Sequence, residues 1–399
     1  MRARIGAIAL LAVGGLAACA PTPVPGEGVP EGGSASVSTA AEQGSAEAAS
    51  PAAQPLSCTD LAAALPLESQ VGQLYMVGVS TAGLDEDTRS AIVDHQVGSV
   101  VLLGNSSAGS KPIRLLTAEL GSLGAADLPL LVAVDQEGGA VQRLQGEGFT
   151  RIPDARTQGG FASGELAVEA ETWGKELKDA GVDYNLAPVA DVVPEDRRAS
   201  NAPIGKMKRD YGSDPAQVGA KVGEFIEGMH NAGVLTSVKH FPGLGLVETN
   251  TDFGAAVDTE VGADSPEIEP FRTAIEAGAD SVMVSSAVFK KIDADNEGVF
   301  SSAVITDLLR GDLGYDGVVI ADDLGAAVAV KGVDAAQRGV RFIEAGGDIA
   351  INADPALMGA MADATVELAG SDEGFAARVA ESAGRVLELK ASAGLVDCG

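Results

Sequence analysis

Short runs of apolar and often β-branched residues recur along the chain, with longer amphipathic segments between them. Because the runs hold few polar positions, they are typical of strands buried on both faces, as in a parallel sheet covered by helices. Most of the intervening segments place apolar residues at i, i+3 and i+4, which predicts helices such as 216–229 and 268–277. The predicted strands are 74–79, 99–103, 129–134, 184–189, 236–239, 281–285, 317–320 and 348–351.

Glycines mark the ends of several predicted helices. Gly181, Gly233, Gly278 and Gly346 each stand shortly before a predicted strand, where glycine commonly ends a helix. Eight strand–helix units fit a single (β/α)8 TIM-type barrel with some long loops. An open doubly wound sheet is the alternative. Against it, the first unit lacks a glycine-rich phosphate turn, and polar residues follow many strands instead of one switch point.

The N-terminal segment is typical of an export signal. Two arginines precede an apolar stretch, 5–18, that is too short to span a bilayer comfortably. The letters LAAC at 16–19 resemble a bacterial lipobox, in which cleavage before the cysteine leaves Cys19 to carry lipid. We therefore expect 1–18 to be a lipoprotein signal peptide and the protein to be lipid-anchored on the outer face of the cell membrane. An ordinary cleaved signal with an incidental cysteine is the alternative.

The residues after Cys19 are rich in Pro, Gly, Ser, Ala and Glu, and 20–55 contain no aromatic residue, Lys or Arg. Such a composition cannot bury a core, so we expect 19–57 to be a flexible tether and 58–399 to be the barrel domain. Leftover thiols of an exported protein usually pair. A disulfide between Cys58 and Cys398 would then join the two ends of the domain, with two free thiols as the alternative.

Composition excludes several classes of function. The 57 acidic residues exceed the 27 basic ones, and the formal net charge of −30 argues against nucleic acid binding, which needs a basic face. With 3 His and 3 Cys, neither a His-rich nor a Cys-rich metal site is expected. After the signal, no segment approaches about 18 consecutive apolar residues, so no further membrane span is expected. The sequence does not specify an oligomeric state, and a monomer is the expectation.

Polar and ionisable residues follow many of the predicted strands. In a (β/α)8 barrel, chemistry lies where the strands end. Ionisable groups directly after buried strands are costly unless they are used or paired, so several converging clusters indicate an active site. The clusters are Asp135-Gln136-Glu137, Asp191, Lys239-His240, Ser285-Ser286 and Asp322-Asp323.

Several of these stretches resemble the motifs of glycoside hydrolase family 3, and most closely those of its single-domain β-N-acetylglucosaminidases. The first is DQEGGAVQRL at 135–144. The others are NLAPVADV at 185–192, KHFPG at 239–243 and GVVIADDL at 317–324. They occur in the family's order between 61 and 353. No second sheet domain, as in the family's multi-domain β-glucosidases, follows the eighth unit, which favours the hexosaminidase branch.

The resemblance implies retaining hydrolysis, in which a carboxylate attacks the anomeric carbon and water then releases the glycosyl-enzyme. The family's nucleophile is the aspartate directly after the seventh strand, which corresponds to Asp322. The pattern agrees, because the apolar run 318–321 aims Asp322 at the mouth of the barrel. Capping of the next helix, the alternative role for such an aspartate, fits Asp323 better.

The resemblance also implies a set of residues that bind the terminal sugar. By motif position they are Asp135, Arg143, Lys239 and His240. Asp135 would accept hydrogen bonds from hydroxyl groups, and the cationic side chains would donate them. The family also uses an arginine between an Ile-Gly pair and an Asp-Pro pair, and Arg209 corresponds to it if two residues are inserted. The alternative is that these residues form buried ion pairs that only order the mouth of the barrel.

One departure from the family concerns the acid/base. The family's pattern is KHFPGHG, four residues and then Asp-Ser-His, in which the histidine donates the proton and the aspartate orients it. Here KHFPGLG at 239–245 is followed by LVETNTD at 246–252, so Asn250 stands for the orienting aspartate and Asp252 for the histidine. Three accounts stay open. Asp252 donates the proton once a closing loop buries it, Glu248 donates it instead, or the protein binds sugar without turnover.

The sequence therefore predicts a β-N-acetylglucosaminidase that removes terminal β-linked N-acetylglucosamine from carbohydrate substrates, namely peptidoglycan fragments met outside the cytoplasm. No metal or organic cofactor is expected, since two side chains can do the chemistry. Two alternatives stay open. One is a catalytically silent lipoprotein that binds muropeptides or sugars, and the other is a phosphorylase in which phosphate replaces water.

Overall fold

The computed structural model describes residues 57–124 and 128–398, all within the unit Gln54–Gly399. The unit Met1–Ala53 lies outside the described residues, as do the predicted signal peptide, Cys19 and all of the predicted tether except Ser57. Ser57 caps the first helix, because its side chain accepts a hydrogen bond from Asp60 N. The ordered domain therefore includes this residue of the predicted tether.

Eight parallel strands form one sheet, in which each strand pairs with its neighbour in the chain and the first also pairs with the last. A parallel bridge between Ile320 and Ile349 joins the seventh strand to the start of the eighth and closes the sheet. The predicted (β/α)8 barrel is confirmed. Its strands are β1 Tyr75–Ser80, β2 Ser99–Leu103, β3 Leu131–Val134, β4 Tyr184–Asn185, β5 Leu235–Phe241, β6 Ser281–Val284, β7 Val318–Ala321 and β8 Ala350–Asn352.

The fourth strand is shorter than the sequence predicts. The apolar run 184–189 pairs as a strand only over Tyr184–Asn185. Pro188 has no N–H to donate to a neighbouring strand, and pairing resumes only as an isolated bridge between Val189 and Lys239. The other seven strands lie within two residues of their predicted bounds.

Helices surround the barrel. The helix Pro215–Asn231 shows why they form where they do, since the Asp214 side chain accepts hydrogen bonds from Ala216 N and Gln217 N, and Gly233 follows with φ 72°. A π-helical segment, Ala303–Asp312, connects β6 to β7. The α-helices are α1 Cys58–Ala64, α2 Leu67–Gln73, α3 Glu86–Asp94, α4 Ser110–Gly121, α5 Ala155–Gly159, α6 Glu165–Asp179, α7 Pro215–Asn231, α8 Glu269–Glu276, α9 Ala335–Glu344, α10 Met358–Ser371 and α11 Glu373–Ser392.

Two hydrophobic clusters hold these layers together. The larger one lies between the strands and the helices and includes Trp173 and Phe225. The smaller one fills the barrel with side chains such as Met76 and Met283, and Leu389 of α11 joins it. The interior is therefore packed, and the space for a ligand lies at the end of the barrel where the strands finish, called here the mouth.

The last helix ties the two ends of the domain together at the opposite end of the barrel. Cys58, at the start of α1, forms the predicted disulfide with Cys398, beyond α11. Lys390 of α11 is fully buried and donates a hydrogen bond of 2.6 Å to Gln73 Oε1, directly before β1. Burial lowers the pKa of Lys390 to about 7. Among the described residues, no helix is long and apolar enough to cross a membrane.

Candidate active site

A cavity of about 250 Å³ opens at the mouth of the barrel. Its walls come from the ends of several strands and from the loops that follow β4 and β5. Seven of the residues that the sequence proposed for catalysis or sugar binding line it: Asp135, Arg143, Arg209, Lys239, His240, Asp252 and Asp322. The strand-end pair Ser285 and Ser286 does not line it.

A buried ion network forms the floor of this cavity. Lys239, near the end of β5, is 2% exposed, and its Nζ lies 2.6 Å from Asp135 Oδ1 and 2.7 Å from Glu137 Oε1. Burial alone would lower the pKa of Lys239, but the two carboxylates outweigh it and raise that pKa. Glu137 is likewise buried, yet Arg209 and Lys239 hold its pKa well below the usual range. Lys239 and Glu137 are therefore both charged at neutral pH.

Arg209 is fixed from several sides. Its Nε and Nη2 donate to the two oxygens of Glu137 at 2.8 and 2.7 Å, and its Nη1 donates to Pro203 O at 3.0 Å. The next residue, Asp210, is fully buried and accepts hydrogen bonds from Arg156 and Arg198 at 2.6 and 3.2 Å. The loop after β4 therefore presents Arg209 to the cavity despite its two inserted residues.

The His240 ring is oriented by Asp191. Its Nδ1 lies 2.7 Å from Asp191 Oδ2, and Asp191 also accepts a 2.7 Å hydrogen bond from Leu244 N. Nε2 lies 3.4 Å from Arg209 Nη2. The ring is thus held between two charged groups, with one edge at the cavity.

Arg143 retains an unused donor. Its Nη1 donates to Asn105 Oδ1 at 3.3 Å, whereas its buried Nε has no hydrogen-bond partner among the described residues. A buried donor without a partner is costly, and the Arg143 side chain is one of those that line the cavity.

The two adjacent aspartates after β7 differ in their hydrogen bonds. The Asp323 carboxylate accepts from four backbone N–H groups, those of Gly325, Ala326, Ala327 and Ala353, at 2.8–2.9 Å. The Asp322 carboxylate accepts from Asp323 N at 2.9 Å and is partly exposed to the cavity. Burial raises the pKa of Asp322, the charges of Asp252 and Asp323 add to this, and His240 opposes it. Asp323 therefore braces the loop, and Asp322 is available to a ligand.

Asp252 lies on the loop after β5 and is exposed at the edge of the cavity. Its N–H donates to Asn250 Oδ1 at 2.9 Å. Main-chain bonds from Val328 N to Asp252 O and from Ala329 N to Thr251 O, at 3.3 and 3.1 Å, join this loop to the one that follows β7. These main-chain bonds fix the position of the Asp252 loop relative to the loop that carries Asp322.

Glu248, the other acid that the sequence suggests, lies elsewhere. It is exposed and lines a separate surface cavity together with Arg197, Asp258 and Glu260. Asp252 is the better placed of the two acids.

Sequence reasoning did not assign roles to two residues that hold the site together, Glu137 and Asp191. Both stand within the motif stretches and directly after or near strand ends. A carboxylate buried near a strand end is costly unless it is paired, so the sequence could predict that Glu137 and Asp191 have partners. It could not identify those partners.

The fold and the site together define a class of protein. Two carboxylates that face one polar cavity at the mouth of a barrel can cleave a glycosidic bond, with one attacking carbon and the other moving the proton. This arrangement is that of a glycoside hydrolase.

Comparison with known proteins gives the family. The glycosyl hydrolase family 3 N terminal domain matches residues 66–389. The chain belongs to glycoside hydrolase family 3.

Similar proteins cover most of the chain. A β-hexosaminidase of Xylella fastidiosa (strain M23) is 35% identical over 316 residues, which are 77% of this chain and 90% of that protein. The crystal structure of a β-N-acetylhexosaminidase from Beutenbergia cavernae DSM 12333 has 44% identity and a TM-score of 0.81, over 82% of this chain and 99% of that one. The structure of a family 3 β-N-acetylglucosaminidase from Paenibacillus sp. str. FPU-7 has 32% identity and a TM-score of 0.76, over 83% of this chain and 63% of that one.

Proposed function

We propose that this protein is a retaining β-N-acetylglucosaminidase that removes terminal β-linked N-acetylglucosamine from peptidoglycan fragments. The observation that carries the proposal is the meeting of Asp322 and Asp252 in one cavity above a floor of paired cations and carboxylates. The names of the relatives, β-hexosaminidase and β-N-acetylglucosaminidase, support the choice of sugar. The cavity of about 250 Å³ lies just below the range of roughly 300–1,000 Å³ for drug-sized ligands, which suits one sugar residue.

The ion network supplies the contacts that hold the sugar. Asp135 can accept hydrogen bonds from sugar hydroxyls, since Lys239 keeps one of its oxygens in place. The cationic groups of Arg143, Arg209 and Lys239 line the cavity and can donate to hydroxyl or acetamido oxygens. Because Arg209 and Lys239 are already paired and buried, little rearrangement of these two side chains is needed when the sugar enters.

In the first step, Asp322 attacks the anomeric carbon and forms a C–O bond to it. The bond to the leaving group breaks with its electron pair on the glycosidic oxygen, and protonated Asp252 transfers a proton to that oxygen. The nucleophile must be ionised. Burial opposes this by raising the pKa of Asp322, and His240 favours the charged form. The product of this step is a glycosyl-enzyme and a free aglycone.

In the second step, water releases the sugar. Asp252, now a carboxylate, takes a proton from the water as its oxygen bonds to the anomeric carbon and the bond to Asp322 breaks. Two inversions at one carbon restore the original configuration, and Asp252 is again protonated. No group besides these two side chains and water is needed.

The location of the enzyme is part of the proposal. The lipobox-like LAAC at 16–19 supports attachment through lipid on Cys19, at the outer face of the cell membrane. A Cys19→Ala variant should then appear in the soluble fraction instead of the membrane fraction of expressing cells.

The function is tested by release of chromophore from an aryl β-N-acetylglucosaminide, with and without phosphate. Turnover should not need phosphate and should be lost in Asp322→Ala, and a 2-fluoro slow substrate should label Asp322 covalently. Turnover that requires phosphate would identify a phosphorylase. Sugar binding with turnover no greater than that of Asp322→Ala would identify a binding protein, and label on another residue would overturn the assignment of the nucleophile.

A further inference from the structure

A buried amide joins the two loops that build one side of the cavity. Asn201, in the loop after β4, is 1% exposed. Its Oδ1 accepts hydrogen bonds from Ile204 N and Gly205 N at 3.0 and 2.6 Å. Its Nδ2 donates to Leu244 O and Val247 O, both at 2.7 Å. Both lone pairs of Oδ1 and both N–H groups of Nδ2 are therefore used.

The oxygen and the nitrogen of this amide bond to two loops that have different roles. Ile204 and Gly205 belong to the loop that carries Arg209 toward the sugar. Leu244 and Val247 belong to the loop that carries Asp252. Asn201 thus connects the sugar-binding side of the cavity to the proton-donating side, although its own side chain lies outside the cavity.

Two further contacts hold the same stretch of the Asp252 loop. Ala202 N donates to Glu248 O at 3.2 Å, next to the amide. A Cβ atom on Gly245 would lie 1.7 Å from Val192 O, so the loop runs against the loop after β4 with no space between them. On its other side the Asp252 loop is bonded to Val328 and Ala329. The base of the loop is therefore fixed, and Asp252 lies five residues beyond Val247.

We propose that Asn201 is a positioning residue for the proton donor. Through Leu244 O and Val247 O it sets where the loop after β5 begins, and so where Asp252 meets the glycosidic oxygen. The inference rests on the proposed hydrolysis with Asp252 as acid/base. A misplacement of about 1 Å can reduce a rate roughly 100-fold when the group must reach a reacting atom.

Asn201→Asp removes the hydrogen bonds of the amide nitrogen and keeps those of the amide oxygen. One carboxylate oxygen can still accept from Ile204 N and Gly205 N, so the Arg209 loop keeps its hydrogen bonds. The other oxygen would face two carbonyl oxygens and could donate to neither. The Asp252 loop should therefore be displaced while the sugar-binding residues stay in place.

The test compares substrates with poor and good leaving groups. Departure of a poor leaving group, as in an N-acetylglucosaminyl disaccharide, needs a proton, whereas an activated aryl glycoside hardly does. In Asp252→Ala and in Asn201→Asp, kcat/KM should fall more for the disaccharide than for the aryl glycoside, by about 10–100-fold in Asn201→Asp. Competitive inhibition by N-acetylglucosamine should be unchanged in Asn201→Asp.

Controls separate positioning from simple loss of stability. Asn296, in the loop after β6, donates to Asp293 of that loop and accepts from Arg341 of α9. Asn296→Asp therefore disturbs another loop amide and should not discriminate between the substrates. Asn201→Ser introduces no charge and replaces Asn201→Asp in the test if that variant does not fold. It should also lose more kcat/KM for the disaccharide than for the aryl glycoside. Thermal unfolding of each variant accompanies the kinetics.

The outcomes are distinct. Equal losses on both substrates in the Asn201 variants, with a selective loss in Asp252→Ala, would overturn the role of Asn201 and leave the proposed function standing. Equal losses in Asp252→Ala would overturn Asp252 as proton donor. A selective loss in the Asn201 variants would then still support the role of Asn201 in placing a donor on this loop.

Discussion

The hydrogen bonds of each carboxylate at the mouth decide what it can do. Glu137 is saturated by Lys239 and Arg209, and Asp323 is saturated by backbone N–H groups. A carboxylate held in this way is stabilised as an anion and is a weak nucleophile. Asp322 has fewer partners and a raised pKa, so its electron pair is available to carbon.

Replacing Asp252 by Asn should leave the acidic limb of the pH–rate profile in place. Burial raises the pKa of Asp322, so kcat/KM should fall when acid protonates this nucleophile, at a pH above the usual range of an aspartate. A proton donor at position 252 still holds its proton in that range, so the amide takes away no charge that acts on Asp322. The measurement is kcat/KM against pH with an activated aryl glycoside, and Asp252→Glu, which keeps a carboxyl group, is the control. If the limb of Asp252→Asn moves to lower pH, Asp252 carries a charge there and is not the proton donor.

Sequence reasoning could predict the residues of the site better than their contacts. Asp135, Lys239 and Asp322 follow strands, and strand ends converge in a barrel, so their meeting was predictable. The pairing of Glu137 with Arg209 was not, because the partner lies 72 residues away on a loop with two inserted residues. Loops after the strands carry no periodic pattern from which such a contact can be deduced.

At the scale of elements, the packing of α7 depends on close approach to α6. Gly228 lies against the α6 backbone, where a Cβ atom would be 2.3 Å from Ala167 O. Gly223, on the same helix, has ordinary van der Waals space, since the nearest atom to a Cβ there is Ala277 Cβ at 3.9 Å. One helix thus contains a glycine that the packing requires and another that it does not.

These two glycines should respond in opposite ways to replacement by alanine. Gly223→Ala should raise the free energy of unfolding by about 0.5–1 kcal/mol, because alanine fits and costs less backbone entropy in a helix. Gly228→Ala should lower it by roughly 1–3 kcal/mol, because the two helices must separate. Urea unfolding of both variants measures the difference. Similar effects at the two positions would contradict the packing described for α6 and α7.

Most strands could be predicted because burial on both faces makes their apolar runs continuous. The end of the fourth could not be predicted, since 186–190 stays apolar beyond it. Ala187 N bonds back to Asn185 O and Pro188 has no N–H to donate, and neither feature alters the hydrophobic pattern.

At the scale of the whole molecule, the buried amine of Lys390 makes the free energy of unfolding depend on pH. Lys390 has a pKa of about 7 in the folded protein and 10.5 as its ordinary value. Between these values the unfolded chain binds more protons than the folded protein. The contribution of Lys390 to the free energy of unfolding therefore rises with pH across this window, and its burial penalty is fully present below the window.

Comparison of the protein with Lys390→Met isolates this contribution. The difference in unfolding free energy between the two should change in favour of Lys390 as pH rises from 7.5 to 9.5, by at most about 1.4 kcal/mol per pH unit. Urea unfolding at several pH values measures it, and groups common to both proteins cancel. A constant difference across that range would mean that Lys390 keeps its ordinary pKa in the folded protein.

The pairing of β1 with β8 also determines when the protein can become native. The contact between Lys390 and Gln73, shortly before β1, joins residues that are separated by 317 positions in the chain. A chain leaving the ribosome or a translocation channel exposes the edge of β1 until its last strand has emerged, and an unpaired edge invites aggregation. We expect folding to be slow and to finish only after the chain has been delivered whole, because its decisive contacts are the most distant ones.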